Sequence, residues 1–219
     1  IIVEIIGALI YISYFYFATG DLGYSVLHGT FLSVSATTNG GLDLYNNSLT
    51  HQAGNLIIQI PVMCQIILGA IGYPVLIEVK EFFNRRKRSF RFSLFTKVTV
   101  VTHAALLVLG TIFIFVLEYG KLFKNEGLLY SLTTSMFMST TTRSGGITVV
   151  FVDQLQEATH LIMSMLMFIG ASPSSAGGGI RTTTFAMLIL FMLTFARSRA
   201  HINVFSKRIS KLHIETAFA

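Results

Sequence analysis

The chain has 219 residues, 53% of them hydrophobic and 12% charged, with a formal net charge of +6. Soluble domains carry about a quarter charged residues, so with a mean hydropathy of +0.67 the composition excludes a soluble enzyme and describes a chain that lives in lipid. Its single cysteine, Cys64, excludes an internal disulfide and a cysteine metal cluster, and the six histidines show none of the i, i+4 pairing of a helical zinc site.

The first apolar stretch, Ile1–Phe17, is of bilayer-spanning length, and no basic n-region or small-residue cleavage site marks it as a signal peptide. Beyond Gly20 an amphipathic segment, Tyr24–Ser35, is too short to span. It leads into Ala36-Thr37-Thr38-Asn39-Gly40-Gly41-Leu42. Leu56–Ile77 is a second span. Lys80–Lys97 then holds seven of the sixteen basic residues, including Arg85-Arg86-Lys87-Arg88, and the positive-inside rule places it in the cytoplasm.

Val98–Leu117 crosses outward again. A second amphipathic segment, Leu128–Thr140, leads into Thr141-Thr142-Arg143-Ser144-Gly145-Gly146-Ile147. The last apolar stretch, Leu161–Phe195, is interrupted between Gly170 and Arg181, and five more basic residues follow from Arg197 to Lys211. Beside membrane spans such basic clusters orient the chain and meet anionic lipid headgroups. They are not read as nucleic-acid sites.

An internal repeat organises these pieces. At an offset of 106, Tyr24 matches Tyr130, Ser25 matches Ser131, Phe31 matches Phe137 and Ser33 matches Ser139. After a slip of one residue, Thr37 matches Thr142, Gly40 matches Gly145 and Gly41 matches Gly146. The fold expected is an all-α membrane protein in which one unit occurs twice: transmembrane helix, pore helix, filter turn, transmembrane helix. Residues 1–82 form one unit, with a pore helix at about 24–36 and a filter at 37–42. Residues 83–96 are a basic cytoplasmic loop. Residues 97–197 form the second unit, with a pore helix at about 128–141, a filter at 142–147 and a broken segment at 170–181. Residues 198–219 form a cytoplasmic link.

The unit suits ion passage. Irregular backbone at membrane depth is tolerated only where protein covers it or water lines it. A Thr/Gly turn there can aim a row of carbonyls at a cation and replace its hydration shell, and glycine admits the conformations required. A half-helix also directs its negative C-terminal end at the membrane centre. The candidate ion-binding residues are therefore Thr38, Asn39, Gly40 and Gly41 in one turn and Ser144, Gly145 and Gly146 in the other, with potassium at their carbonyls. Gly170, Pro173, Gly177, Gly178 and Gly179 interrupt the last span too densely for a plain helix. Such a segment is not expected to be held by backbone hydrogen bonds of its own, and so is expected to take more than one arrangement at modest cost. Arg181 within it is either an anchor to helix carbonyls or a positive charge on the ion path, and Arg143 is read as a brace through backbone carbonyls. The outer carboxylates Asp21, Asp43, Asp153 and Glu157 are solvated groups that could concentrate cations.

These motifs resemble the Trk/Ktr/HKT superfamily of potassium transporters, closest to the bacterial Trk/Ktr membrane subunits. Thr38-Asn39-Gly40-Gly41-Leu42 is similar to that family's second filter, and Arg143-Ser144-Gly145-Gly146-Ile147 to its third. By that match Gly41 and Gly146 hold the filter-glycine position. Leu42 and Ile147 replace the usual phenylalanine, and Gly40 and Gly145 the usual alanine. The string Phe168–Phe185, containing Ser172-Pro173-Ser174-Ser175-Ala176-Gly177-Gly178-Gly179, resembles the family's intramembrane gate loop.

The resemblance implies the second and third of four units in a pseudo-fourfold pore, with a first and a fourth unit expected beyond this chain. It implies potassium uptake, with sodium as a second ion, in the cell membrane and without a covalent cofactor or enzymatic activity. It also implies a homodimer seated on a cytoplasmic nucleotide-binding ring. Two rival readings exist. A two-pore-domain potassium channel should carry a Gly-Tyr-Gly-like filter, absent here. An intramembrane hydrolase would use Ser172, Ser174 or Ser175 with His103 or His160, but no Gly-x-Ser-x-Gly elbow is present.

Overall fold

The computed structural model describes residues 1–44, 47–84 and 91–196, together with the backbone of Ile202–Val204 and Lys207–Ile209. The run Arg85–Arg88 and most of the link after Ala196 lie outside the described residues. Among the described residues eight α-helices follow one another: α1 Ile2–Thr19, α2 Leu22–Thr38, α3 Leu56–Ala70, α4 Tyr73–Asn84, α5 Leu94–Glu118, α6 Leu128–Ser144, α7 Glu157–Phe168 and α8 Thr182–Ala196. A short antiparallel ribbon pairs β1, Ile202–Val204, with β2, Lys207–Ile209.

Among the described residues α1 and α5 are each long and apolar enough to cross a membrane alone. Both turn large apolar side chains outward, such as Ile5, Ile6 and Leu9 on α1 and Val108, Ile112 and Val116 on α5. Exposed apolar faces of this extent belong against lipid. The second span read from the sequence, Leu56–Ile77, is not one straight helix. It is α3 and α4, bent by 106°. Gly72 at the bend has a φ of 91°, and the Tyr73 amide donates to the carbonyl of Ser174, far along the chain, instead of to its own helix. The break arises from a tertiary contact added to a glycine, which is why an apolar run alone conceals it.

Local capping sets where the short helices begin. Asp21 Oδ1 accepts the amides of Gly23 at 2.8 Å and Tyr24 at 3.2 Å and starts α2. Ser93 Oγ accepts the Thr96 amide at 3.1 Å and starts α5, while Glu78 Oε2 accepts the Ser93 amide at 2.9 Å and ties α4 to that start. Fully buried Glu118, at the end of α5, accepts the Gln156 amide at 2.8 Å and so ties the start of α7 to α5.

In both halves the half-helix lies tightly against the preceding span by the same device. Ser33 Oγ of α2 donates to the Glu4 carbonyl of α1 at 2.7 Å, and Ser139 Oγ of α6 donates to the Leu107 carbonyl of α5 at 2.9 Å. Three residues after each of those carbonyls stands a glycine. A Cβ on Gly7 would lie 2.0 Å from Gln65 Nε2, and one on Gly110 would lie 2.4 Å from Ser139 Oγ. Small residues let helix backbones approach where water cannot drive them together. The halves differ in what fills the third corner. Gln65 of α3 donates to Ser33 Oγ and accepts from Tyr11 Oη, both at 2.7 Å, whereas Leu166 of α7 packs at Gly110. One core joins the halves, running through Tyr11, Leu32, Ile58, Ile66, Phe137 and Ile147.

Gly110→Val forces a branched side chain into the space of Ser139 and Leu166. Overpacking of this kind costs about 1–3 kcal/mol, so the detergent-solubilised variant should unfold at a lower temperature than the parent. Val108→Ala, on the exposed face of the same helix, should not shift the midpoint. An unchanged midpoint for Gly110→Val would show that α5 and α6 do not approach this closely.

Candidate functional site: the paired turns and the intramembrane loop

The half-helices α2 and α6 deliver their C-terminal ends to one place. Helix α2 runs through Thr38 and is capped by Asn39 in the left-handed region, φ 52° and ψ 38°. Helix α6 runs through Ser144, so Thr142, Arg143 and Ser144 form its last turn, and Gly145 caps it. Gly41 and Gly146 have φ of 66° and 74°, a region that side chains disfavour. The two turns abut. A Cβ on Gly41 would lie 3.0 Å from the Gly145 carbonyl oxygen and 3.1 Å from Gly146 Cα, and one on Gly146 would lie 2.8 Å from Gly41 Cα.

Each turn is closed by a hydroxyl from its own half-helix. Ser35 Oγ donates to the Leu42 carbonyl, and Thr141 Oγ1 donates to the Ile147 carbonyl, each at 2.5 Å. The Gly40 amide donates to the Ser35 carbonyl at 2.9 Å, and the Gly145 amide donates to the Thr141 carbonyl at 2.7 Å. Among the described residues no hydrogen bond engages the carbonyls of Gly40, Gly41, Gly145 or Gly146. The turn is thus fixed at both ends while its middle carbonyls stay free. The amide of Asn39 and the hydroxyl of Ser144, at matching positions, are buried and find no partner among the described residues. Asn39 faces Gly69, and Ser144 faces Gly177.

Between α7 and α8 residues 169–181 form the intramembrane loop. The sequence reading left it without hydrogen bonds of its own. The structure holds it by non-helical ones: the Ala171 amide donates to the Gly178 carbonyl at 2.9 Å, and the Ile180 amide to the Phe168 carbonyl at 3.2 Å. Two arginines brace it. Buried Arg143 donates through Nη2 to the Gly170 carbonyl at 3.2 Å and through Nη1 to the His103 carbonyl of α5 at 3.4 Å. Exposed Arg181 donates through Nη1 to the carbonyls of Gly177 at 2.9 Å and Ser172 at 3.3 Å. Gly170 is buried where the two limbs of the loop cross, Pro173 is half-buried, and Gly178 and Gly179 are exposed. A cavity of about 390 Å³ separates the second turn from the loop, lined by Thr142, Ser144, Gly146, Met163, Met167 and Gly178.

Two of the three serines named for a hydrolase, Ser172 and Ser175, are engaged otherwise, and so is His160. Ser172 Oγ lies 3.1 Å from Thr182 Oγ1, Ser175 Oγ donates to the Ser172 carbonyl, and His160 Nε2 lies 2.7 Å from the Val152 carbonyl oxygen. Sequence reasoning did not find the Ser35 and Thr141 closures. They occupy the same offset of 106 as the matched residues, but a serine opposite a threonine does not register as an identity, although both supply the same hydroxyl.

Fold and site together define a helical membrane protein with paired half-helix turns beside a broken span. The whole chain, residues 1–219, matches the TrkH family of cation transport proteins, and it belongs to that family. It is 44% identical over 207 residues to the Ktr system potassium uptake protein D of Bacillus subtilis, across 94% of this chain and 46% of that protein. It is 28% identical over 214 residues to the potassium/sodium uptake protein NtpJ of Enterococcus hirae, across 95% of this chain and 46% of that protein. The chain therefore spans about half the length of the curated relatives it matches. The crystal structure of the potassium transporter TrkH from Vibrio parahaemolyticus superimposes with a TM-score of 0.75 over 99% of this chain and 45% of that one, at 14% identity, a likeness of fold.

Thr141→Val keeps the shape of the side chain and removes the hydroxyl that holds the Ile147 carbonyl. Leaving a buried carbonyl without a partner costs about 1–3 kcal/mol, so thermal unfolding in detergent should move to lower temperature. Thr140→Val removes only a hydroxyl bonded back to Met136 in its own helix and should shift it much less. Equal midpoints for the two variants would show that the closure contributes nothing.

Proposed function

We propose that the complete transporter carries potassium, with sodium as a second ion, across the cell membrane along a path lined by the turns Thr38–Gly41 and Ser144–Gly146. The observation that carries this is the abutment of two glycines with positive φ, Gly41 and Gly146, at the shared end of two half-helices. Magnitudes decide which groups must do the work. Moving an ammonium-sized cation into a medium of low dielectric costs on the order of 20 kcal/mol. A helix end returns at most about 2 kcal/mol in a partly buried setting. Two helix ends fall far short, so the carbonyls must replace most of the hydration shell. The carbonyls of Gly40, Gly41, Gly145 and Gly146 are the ones left free for that. Two turns supply one side of such a ring, and further turns of the same kind complete it in the whole transporter.

Within the loop 169–181, Gly170–Arg181 is the gate, blocking the path in one arrangement and clearing it in another. The relatives named as potassium and as potassium/sodium uptake proteins support the choice of ions. A homodimer on a cytoplasmic nucleotide-binding ring would set the gate's populations, with the basic segments meeting that ring and anionic lipid heads.

Gly41→Ser or Gly146→Ser places a side chain against the neighbouring turn and strains a left-handed backbone. In a cell deficient in potassium uptake, each variant of the complete transporter should lower the ratio of potassium to sodium uptake. Unchanged ratios for both would remove the filter assignment. Deleting Ser174–Gly178 should raise the maximal potassium uptake rate and leave that ratio intact. A deletion variant that reaches the membrane folded and transports no faster marks the loop as a plain kink.

A further inference from the structure

We infer that the elbow between α3 and α4, Gly69–Tyr73, is the catch that holds the intramembrane loop in place, and that Gly72 and Tyr73 position the gate. The inference rests on the gate assignment above. Three main-chain hydrogen bonds cross from the elbow to the loop: Ser172 N–H to the Ala70 carbonyl at 3.0 Å, Ala176 N–H to the Gly69 carbonyl at 3.2 Å, and Tyr73 N–H to the Ser174 carbonyl at 3.0 Å. The catch therefore lies between the two units, with the elbow in the first and the loop in the second. Contact there is close. Gly72 has a φ of 91°, and a Cβ on it would lie 2.6 Å from the Pro173 carbonyl oxygen.

The other side of the elbow touches the first turn. A Cβ on Gly69 would lie 2.1 Å from the Thr37 carbonyl oxygen and 2.7 Å from Asn39 Nδ2. The elbow is thus wedged between a turn and the loop, and a shift of the elbow must disturb both. Beyond it, among the described residues, α4 buries only Val75; the Ser93 amide donates to Glu78, and the ring of Phe82 lies 5.3 Å from that of Phe92. A helical arm with three main-chain bonds at its root transmits rotation to that root. The bonds within the loop and from Arg181 travel with the loop and do not oppose its release, so the elbow and Arg143, with the Thr182 amide of α8 on the Ala171 carbonyl at 3.2 Å, are fixed points.

Tyr73→Pro tests the catch. It removes one crossing donor at the first residue of α4, where proline is tolerated, and the Tyr73 side chain is exposed. Loss of one net hydrogen bond shifts a two-state equilibrium about five-fold. The maximal potassium uptake rate of the complete transporter in an uptake-deficient cell, at matched membrane abundance, should therefore rise by about that factor. The potassium-to-sodium ratio should not move, and Tyr73→Ala, which keeps the amide, should match the parent. Combined with the Ser174–Gly178 deletion, Tyr73→Pro should add nothing, because the loop it would free is gone. A parental rate for Tyr73→Pro beside a faster deletion variant overturns the catch and leaves the gate. So does an undiminished further rise in the deletion background. A deletion that speeds nothing overturns the gate and the catch with it. If Tyr73→Pro does not reach the membrane, Ala176→Pro removes the bond to Gly69 from the loop side of the undeleted chain: a rate raised about five-fold supports the catch, and a parental rate beside a faster deletion variant overturns it.

Discussion

Backbone that leaves a helix at membrane depth must find its hydrogen-bond partners inside the protein, because the bilayer core supplies none. The arrangement of this chain follows from how that requirement is met at three places: the two turns and the loop. Hydroxyls of Ser35 and Thr141 take the carbonyls where each turn leaves its site. Arg143 and Arg181 take carbonyls of the loop, and the elbow at Gly69–Ala70 takes two of its amides. What these ties omit is as informative as what they include. The carbonyls in the middle of each turn are held in position by bonds on either side while accepting none themselves among the described residues. A rigid frame around free acceptors is what preorganised binding of a cation needs.

The two turns are alike in backbone but not in field. Helix α2 has no basic residue in its last turn, whereas α6 has Arg143 there. A helix C-terminus carries roughly half a negative elementary charge, so the guanidinium offsets the end of α6 and leaves that of α2 uncompensated. Arg143 is buried among carbonyls, and its charge sits close to the cavity that separates the second turn from the loop. At the proposed site a cation between the turns would be drawn mainly by the α2 side. The second side contributes geometry and, through Arg143, a mechanical link to Gly170. The same asymmetry appears in packing, where a polar pin at Gln65 in the first half faces an apolar Leu166 in the second.

Much of this was legible from residue order. The apolar runs mark the long helices, and the pairs Tyr24 with Tyr130 and Gly41 with Gly146 disclose the repeated unit, because identities at a constant offset survive divergence. The ends of the half-helices were not legible. Thr37, Thr38, Thr142 and Ser144 read as turn residues, yet they are helical, since a hydroxyl can bond back to its own helix, as Thr38 does to Val34. The elbow was concealed for a different reason. Gly72 and Pro74 are isolated breakers in a long apolar run, and what bends the chain there is a partner about a hundred residues away, Ser174. The loop's stability was concealed likewise, since its bonds run to other segments and leave no local pattern.

The central claim is that the free carbonyls of the paired turns hold the transported ion. Anomalous X-ray scattering from crystals of the complete transporter grown with thallium, a heavy substitute for potassium, tests it most directly. The account predicts a peak between the Gly41 and Gly146 turns, within ligand distance of the Gly40, Gly41, Gly145 and Gly146 carbonyls, that fades when potassium is added in excess. A crystal with well-ordered turns and no peak there, or with its displaceable peak elsewhere, would contradict it.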